Sequence, residues 1–263
     1  MSLQGEAALI LRGARMQSRV IGALVIREMH SRFGRLYMGY IWLFFEPLLL
    51  GVCIGLIHAW LDRPAAFGAF EFHAVGYILF FVFRGILSRA TMAIKMNQPL
   101  LYHRSVTLPD MFFARHLIEF LCCTGVMLAM LFGLFVSNGS LPESPLKMTL
   151  ALIMLALFSQ GLAFLAAAIT AAVEGSERLI HAITYLLLPV SGLFFLVEWL
   201  PEWLAQMALW IPLVHLFELL RDGQFGSRFN AEYDRGYVWG WIMVTHLIGL
   251  AALRVTRARM GLE

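Results

Sequence analysis

The sequence predicts an all-α polytopic membrane protein with six transmembrane helices. Three observations carry this. Of 263 residues, 60% are hydrophobic and only 14% charged, with a mean hydropathy of +0.75. A globular domain is about 45–50% apolar and about 25% charged, so too little polar surface remains to clothe a water-soluble body. Six stretches reach the length of about 20 apolar residues needed to cross a hydrocarbon core of about 30 Å. The basic residues are unequally divided between alternate connections. Disorder is excluded by the same composition, and a net charge of +3, scattered along the chain, excludes nucleic-acid binding.

The first thirty residues do not read as a signal peptide. The apolar run at 9–11 is short and is followed at once by Arg12, Arg15 and Arg19, so the N-terminus is expected to be kept. Residues 19–36 read as a basic amphipathic helix. Ile21, Val25, Met29, Phe33 and Leu36 recur at spacings of three and four, with Arg27, Ser31 and Arg35 on another face. Such a helix suits the cytoplasmic headgroup layer and could also frame a docking surface.

The spans are placed at 41–60, 74–94, 112–136, 147–171, 179–197 and 237–255. With the N-terminus in the cytoplasm, thirteen Lys and Arg fall in inside segments and five in outside ones, which puts both termini inside. The stretch 198–217 is apolar enough to pose as a seventh span. Pro201 and Pro212 interrupt it, each removing a donor and clashing with the preceding turn. A seventh crossing would also carry Arg254, Arg257 and Arg259 outside. The stretch therefore reads as two short helices that dip into the outer leaflet and return, packed against protein. Trp60, Trp199, Trp203, Trp210, Trp239 and Trp241 fall near the outer surface and Trp42 near the inner one, as interfacial anchors do.

The chain lacks the usual marks of an enzyme. It has no G-x-x-x-x-G-K-[ST] phosphate loop and no H-E-x-x-H. Its eight histidines do not recur at ligand spacing, and no metal site is expected. Cys53, Cys122 and Cys123 lie in apolar runs and read as small buried hydrophobes. Ionisable residues inside spans are more informative, because a mid-membrane charge costs about 2.5–3.5 kcal/mol and faces protein or water. Arg84 and Arg89 are two such residues in the second span. They either pair internally, with Glu46 of the first span or Glu119 of the third, or offer positive charge to an anionic cargo. Aromatic residues crowd the first, second and fifth spans, among them Trp42, Phe45, Phe80, Phe194 and Phe195. Rings against C–H faces and guanidinium groups against acids would suit a sugar chain. Gly51/Gly55 and Gly236/Gly240 form G-x-x-x-G pairs, fitting either internal packing or a dimer seam. Asn138-Gly139-Ser140 is a formal glycan-acceptor match that carries no weight by itself.

Three stretches resemble the membrane subunit of the ABC-2 exporter family. Arg27-Glu28, Arg32-Phe33, Tyr37-Met38-Gly39-Tyr40-Ile41-Trp42 and Glu46-Pro47-Leu48 look like that family's entry to its first span, with Met38 near a usual small-residue position. Asn97-Gln98-Pro99-Leu100-Leu101-Tyr102-His103-Arg104, with Pro109 and Ala114-Arg115, is similar to the segment between the second and third spans of polysaccharide exporters. Leu200-Pro201, then Pro212-Leu213-Val214-His215 and Arg221, match the later part of the signature, with the glycine spacing around Gly192 slightly off. The likeness covers nearly the whole chain and is closest to the permeases of group-2 capsular polysaccharide export, with O-antigen permeases also similar.

The resemblance implies one transmembrane domain over 1–263, forming half of a homodimeric transporter in the bacterial inner membrane. It implies two copies of a separate ABC ATPase that hold the ATP and Mg, with no cofactor in this chain. Residues 19–36, with Arg27 and Arg32, would be the interface helix. The 95–110 segment, with Asn97, Pro99, Leu101, Tyr102, His103 and Arg104, would couple to the ATPase. The first and fifth spans would border the path of a lipid-linked polysaccharide, and the 198–217 segment would cap it outside. A periplasmic adaptor and an outer-membrane channel would complete the route. The alternatives are an ABC-2 exporter of O-antigen, teichoic acid or a drug, a secondary transporter, or a membrane-embedded glycan enzyme.

Overall fold

The computed structural model describes residues 3–33, 38–61, 68–101 and 106–260. Among them it is all-helical, with no strand. Ten α-helices follow in order: α1 Leu3–Phe33, α2 Met38–Leu61, α3 Ala69–Ala90, α4 Ala93–Leu101, α5 Leu108–Asn138, α6 Pro145–Ala172, α7 Ser176–Val190, α8 Glu202–Ala208, α9 Pro212–Phe225 and α10 Arg235–Arg259. A 3₁₀ turn, Val197–Trp199, precedes α8.

Four helices, α3, α5, α6 and α10, are long and apolar enough to cross a membrane, and the described part of α2 adds the apolar stretch Phe44–Trp60. Helix α3 is the central pillar. Every residue from Glu71 to Phe83 is buried, because α2, α5, α6 and α7 all pack around it. A helix that is apolar all round requires such enclosure. Glycines allow the closest approaches. A Cβ on Gly55 would come within 2.8 Å of the Phe70 ring, so the Gly51/Gly55 pair serves α2–α3 packing inside the chain. Gly249 packs equally tightly on α6, where an added Cβ would meet the Gly161 carbonyl at 2.9 Å. Around Gly240 there is open space, and that second pair seals no seam among the described residues.

Within the predicted fifth span, 179–197, the helix is shorter than the sequence suggests. Helix α7 stops at Val190, and its 15 residues rise about 22 Å, short of a hydrocarbon core. Gly192 then turns the chain in the left-handed region, with φ 93°. The apolar pattern continues beyond the helix because Leu193, Leu196 and Val197 bury themselves in the core without helical geometry. The second span also ends early, at Ala90. A turn at Thr91–Met92 separates it from α4.

The 198–217 stretch is indeed two short helices, α8 and α9, bent by 101° from each other. Pro201 is the N-cap residue of α8 and Pro212 opens α9. Both prolines therefore start helices, where a missing N–H costs nothing. Helix α5 starts with a capping box. The Thr107 hydroxyl oxygen accepts from the Asp110 N–H, and the Asp110 carboxylate accepts from the Thr107 N–H. It ends in a left-handed Gly139 cap. The neighbouring Asn138 amide donates to Glu71 at 2.5 Å, and Ser140 donates to the same carboxylate. That contact accounts for the Asn138-Gly139-Ser140 triplet as a helix stop.

Candidate functional site

Helix α3 joins two opposite ends of the molecule, and each gathers polar residues. At the α4 end, α1 lies along α5. Leu24 is buried with Val106 and Ala114, and Val25 and Met29 pack on Ile118 and Cys122. The apolar stripe read from the sequence at Ile21, Val25 and Met29 thus meets protein. The side chain of Phe33 and residue Leu36 lie outside the described residues. Three polar ties fix the helix. Gln17 donates to Asp110 at 2.7 Å, Arg115 pairs with Glu28 at 3.0 Å, and Arg27 donates to the Asn97 side-chain oxygen at 3.0 Å. Asn97 is buried, and its amide donates to the Ala93 carbonyl within α4. The structure therefore brings Arg27 and Asn97 into direct contact across 70 residues of sequence. Leu101 is buried beneath α4, whereas Lys95, Met96, Gln98 and Pro99 face outward. Tyr102, His103 and Arg104 lie outside the described residues, as does the side chain of Arg32.

Helices α2 and α7 both pack against α3, and each leaves apolar side chains exposed. Trp42 is 58% exposed and Phe45 44% exposed on α2. On α7, Leu179, Ile183, Tyr185 and Leu186 are all exposed, and Thr184 is the one buried residue of that helix. Arg84 reaches α7 from α3. It donates to the Tyr185 hydroxyl at 2.6 Å, and its guanidinium carbon lies 4.7 Å from the Tyr185 ring centroid. Arg89 faces elsewhere. Its Nε lies 2.5 Å from the Glu119 carboxylate, whose side chain is 1% exposed. Arg89 is thus paired with Glu119, one of the internal partners read from the sequence, whereas Arg84 is hydrogen-bonded to Tyr185 of α7. Phe80 is 1% exposed and packs on Phe83, so it belongs to the core and lines no open surface. Phe194 is half-buried and stacks on His58.

At the α9 end sits a polar knot. Arg221, 1% exposed, donates to the carbonyls of Gly192, Leu193 and Phe195, each at 2.6 Å, and covers the Phe72 ring at 3.5 Å. The planar fork of a guanidinium can serve several carbonyls at once, and a buried charge needs that many partners. One turn earlier, Glu218 accepts from the backbone N–H of Val197 and of Glu232. His215 accepts from the Asp234 N–H at Nδ1, so Nε2 carries the proton, and Nε2 donates to the Leu209 carbonyl at 2.8 Å. The spacing Pro212-Leu213-Val214-His215 and Arg221 is therefore structural. Pro212 starts α9, His215 ties the α8–α9 turn to the start of α10, and Arg221 holds the turn that ends α7. On the outer rim Lys147 pairs with Asp222 at 2.8 Å, and the Tyr233 hydroxyl donates to Asp222 at 2.6 Å. Burial, then the Asp222 carboxylate, push the Tyr233 phenol up to about 12, so it remains a donor at neutral pH.

Sequence reasoning did not find Gln17–Asp110, Glu28–Arg115, Tyr185 or the stacked imidazoles of His58 and His73, whose centroids are 3.8 Å apart. Only Thr107-Leu108-Pro109-Asp110 left a local signal, the capping-box spacing. Among the described residues no group of three His, Cys, Asp or Glu could hold a metal ion.

The sequence matches known proteins over most of its length. The capsule polysaccharide export inner-membrane protein CtrC of Neisseria meningitidis serogroup A is 34% identical over 251 residues, 94% of each chain. The capsule polysaccharide export inner-membrane protein BexB of Haemophilus influenzae is 30% identical over 253 residues, 95% of this chain and 96% of its own. The polysialic acid transport protein KpsM of Escherichia coli is 27% identical over 254 residues, 94% and 97%. Residues 19–225, from the α1 stripe through the α9 knot, match the family described as ABC-2 type transporter, and to that family this chain belongs.

Proposed function

We propose that this chain is the permease subunit of an ATP-driven exporter that passes a lipid-linked, acidic capsular polysaccharide across the inner membrane to the periplasm. One observation carries the reading: relatives named for capsule polysaccharide export align end to end with it, at 94–96% of each chain.

In this reading the α4 end faces the cytoplasm together with both termini, and the α9 end faces the periplasm. The six crossings are α2, α3, α5, α6, α7 with its following turn, and α10, and α8–α9 form a re-entrant cap. The whole chain is one transmembrane domain. It performs no bond chemistry and holds no cofactor. ATP and Mg belong to two copies of a separate ATPase. Helix α4 is the lever. Arg27 and Asn97 clamp it to α1, so a push on its exposed Lys95–Pro99 edge moves α1 and α5 together. Two copies of the chain face each other across α2 and α7, and the cargo passes along Trp42, Phe45 and Arg84. ATP closure favours one arrangement of these faces, and differential contact with the cargo is all that coupling requires. Arg84 attracts acidic sugars, and its partnership with Tyr185 keeps that hold weak enough for a moving polymer to leave. A periplasmic adaptor and an outer-membrane channel receive the product.

The test is purification of the tagged full-length chain from its own host, with export measured in the same cells. Recovery of an ATPase bearing a phosphate loop, with surface polysaccharide lost on deletion of the chain, is the expected result. A chain that exports its cargo without any such partner contradicts the proposal.

A further inference from the structure

At the α4 end, the first turn of α5 and the last turns of α10 stand apart around a cavity of about 570 Å³. Leu108, Leu247, Leu250 and Ala251 give it apolar walls, and Arg254 and Arg257 lie at the terminal end of α10. Leu247 and Leu250 are exposed, and Arg254 is exposed beside them. The clasp of α1, α4 and α5 lies outside this groove, and so do α2 and α7. Basic residues in a last helical turn complement the helix dipole, but that role requires no cavity. An apolar trough ending in two guanidinium groups, at the end of a helix long and apolar enough to cross a membrane, matches one kind of molecule, an acyl chain joined to a phosphate.

We propose that this groove binds an anionic glycerophospholipid of the adjoining leaflet, its acyl chain along Leu247, Leu250 and Leu108 and its phosphate at Arg254 and Arg257. The site is separate from the cargo path and does not depend on which polysaccharide is exported. A lipid here would brace α10 against the start of α5, the helix to which α1 is fastened.

The test is native mass spectrometry of the purified full-length chain with phosphatidylglycerol, phosphatidylcholine or sn-glycerol 1-phosphate added. Phosphatidylglycerol should be retained about tenfold or more over phosphatidylcholine, given two arginines at the phosphate. The double variant R254Q/R257Q should abolish that preference, and R178Q, on the exposed start of α7, should leave it unchanged. A251W, which fills the trough from an exposed position, should lose both lipids. Equal retention of the two lipids, or an equal effect of R178Q, would overturn the proposal, because general surface charge would then suffice. Retention undiminished in A251W, or competition by sn-glycerol 1-phosphate, would also overturn it in favour of a plain anion site.

Discussion

Helices α3 and α7 lie side by side, both apolar and both expected to cross the membrane, yet their surroundings are opposite. Helix α3 is buried without interruption from Glu71 to Phe83. Helix α7 buries Thr184 and leaves Leu179, Ile183, Tyr185 and Leu186 exposed. The contrast separates two uses of an apolar helix. From Glu71 to Phe83 the faces of α3 are completed within the chain, by α2, α5, α6 and the turn that Arg221 holds. The outer sides of α7 and α2, Trp42 and Phe45 among them, are left uncovered by the described residues, and Arg84 reaches Tyr185 beside them. Substitutions on the α3 side should therefore damage the fold, and those on the α7 side should damage transport alone.

The largest effect is expected from R221M. It would strip three buried carbonyls of their donor and cost about 3–5 kcal/mol, as loss of one partner in a buried charged network does. Thermal unfolding of the purified chain, or its level in the membrane, reads this directly. G55L should follow, at about 1–3 kcal/mol for overpacking the α2–α3 seam against Phe70. R89Q should cost about 1–2 kcal/mol, moderated because Arg89 is 38% exposed. Most of that loss should return in R89Q/E119Q, since a neutral amide pair no longer buries an unmatched carboxylate.

The smallest stability effects should come from R84Q and L186A, each within about 0.5 kcal/mol. Export should nevertheless fall in both, measured as polysaccharide on the cell surface. A stability loss in R84Q equal to that in R89Q would erase the distinction between the two helices.

The fold was legible where lipid burial decides it, because about 20 apolar residues in a row suffice to mark a span. The α8–α9 break was equally legible from Pro201 and Pro212. The end of α7 was not, because Leu193, Leu196 and Val197 are apolar for burial and not for helix. The turn that stops the helix is held by Arg221, about thirty residues later. The site was legible as residue types and not as contacts. Arg27 and Asn97 both stood out, but nothing in the chain between them announces that they touch. Arg84 and Arg89 read alike in sequence. Only Glu119 and Tyr185, which arrive from different helices, tell them apart. Phe80 stood among aromatics that suit a path, yet the enclosure of α3 takes it into the core.

The proposed cargo path along α2 and α7 is the part of the account most open to direct measurement. A photoreactive residue placed at Phe45, at Tyr185 or at Phe132, the last an exposed position on α5, would be irradiated in cells during export. The account predicts polysaccharide adducts at positions 45 and 185, dependent on ATP hydrolysis by the partner, and none at 132. Adducts at 132, or at none of the three positions while export continues, would contradict it.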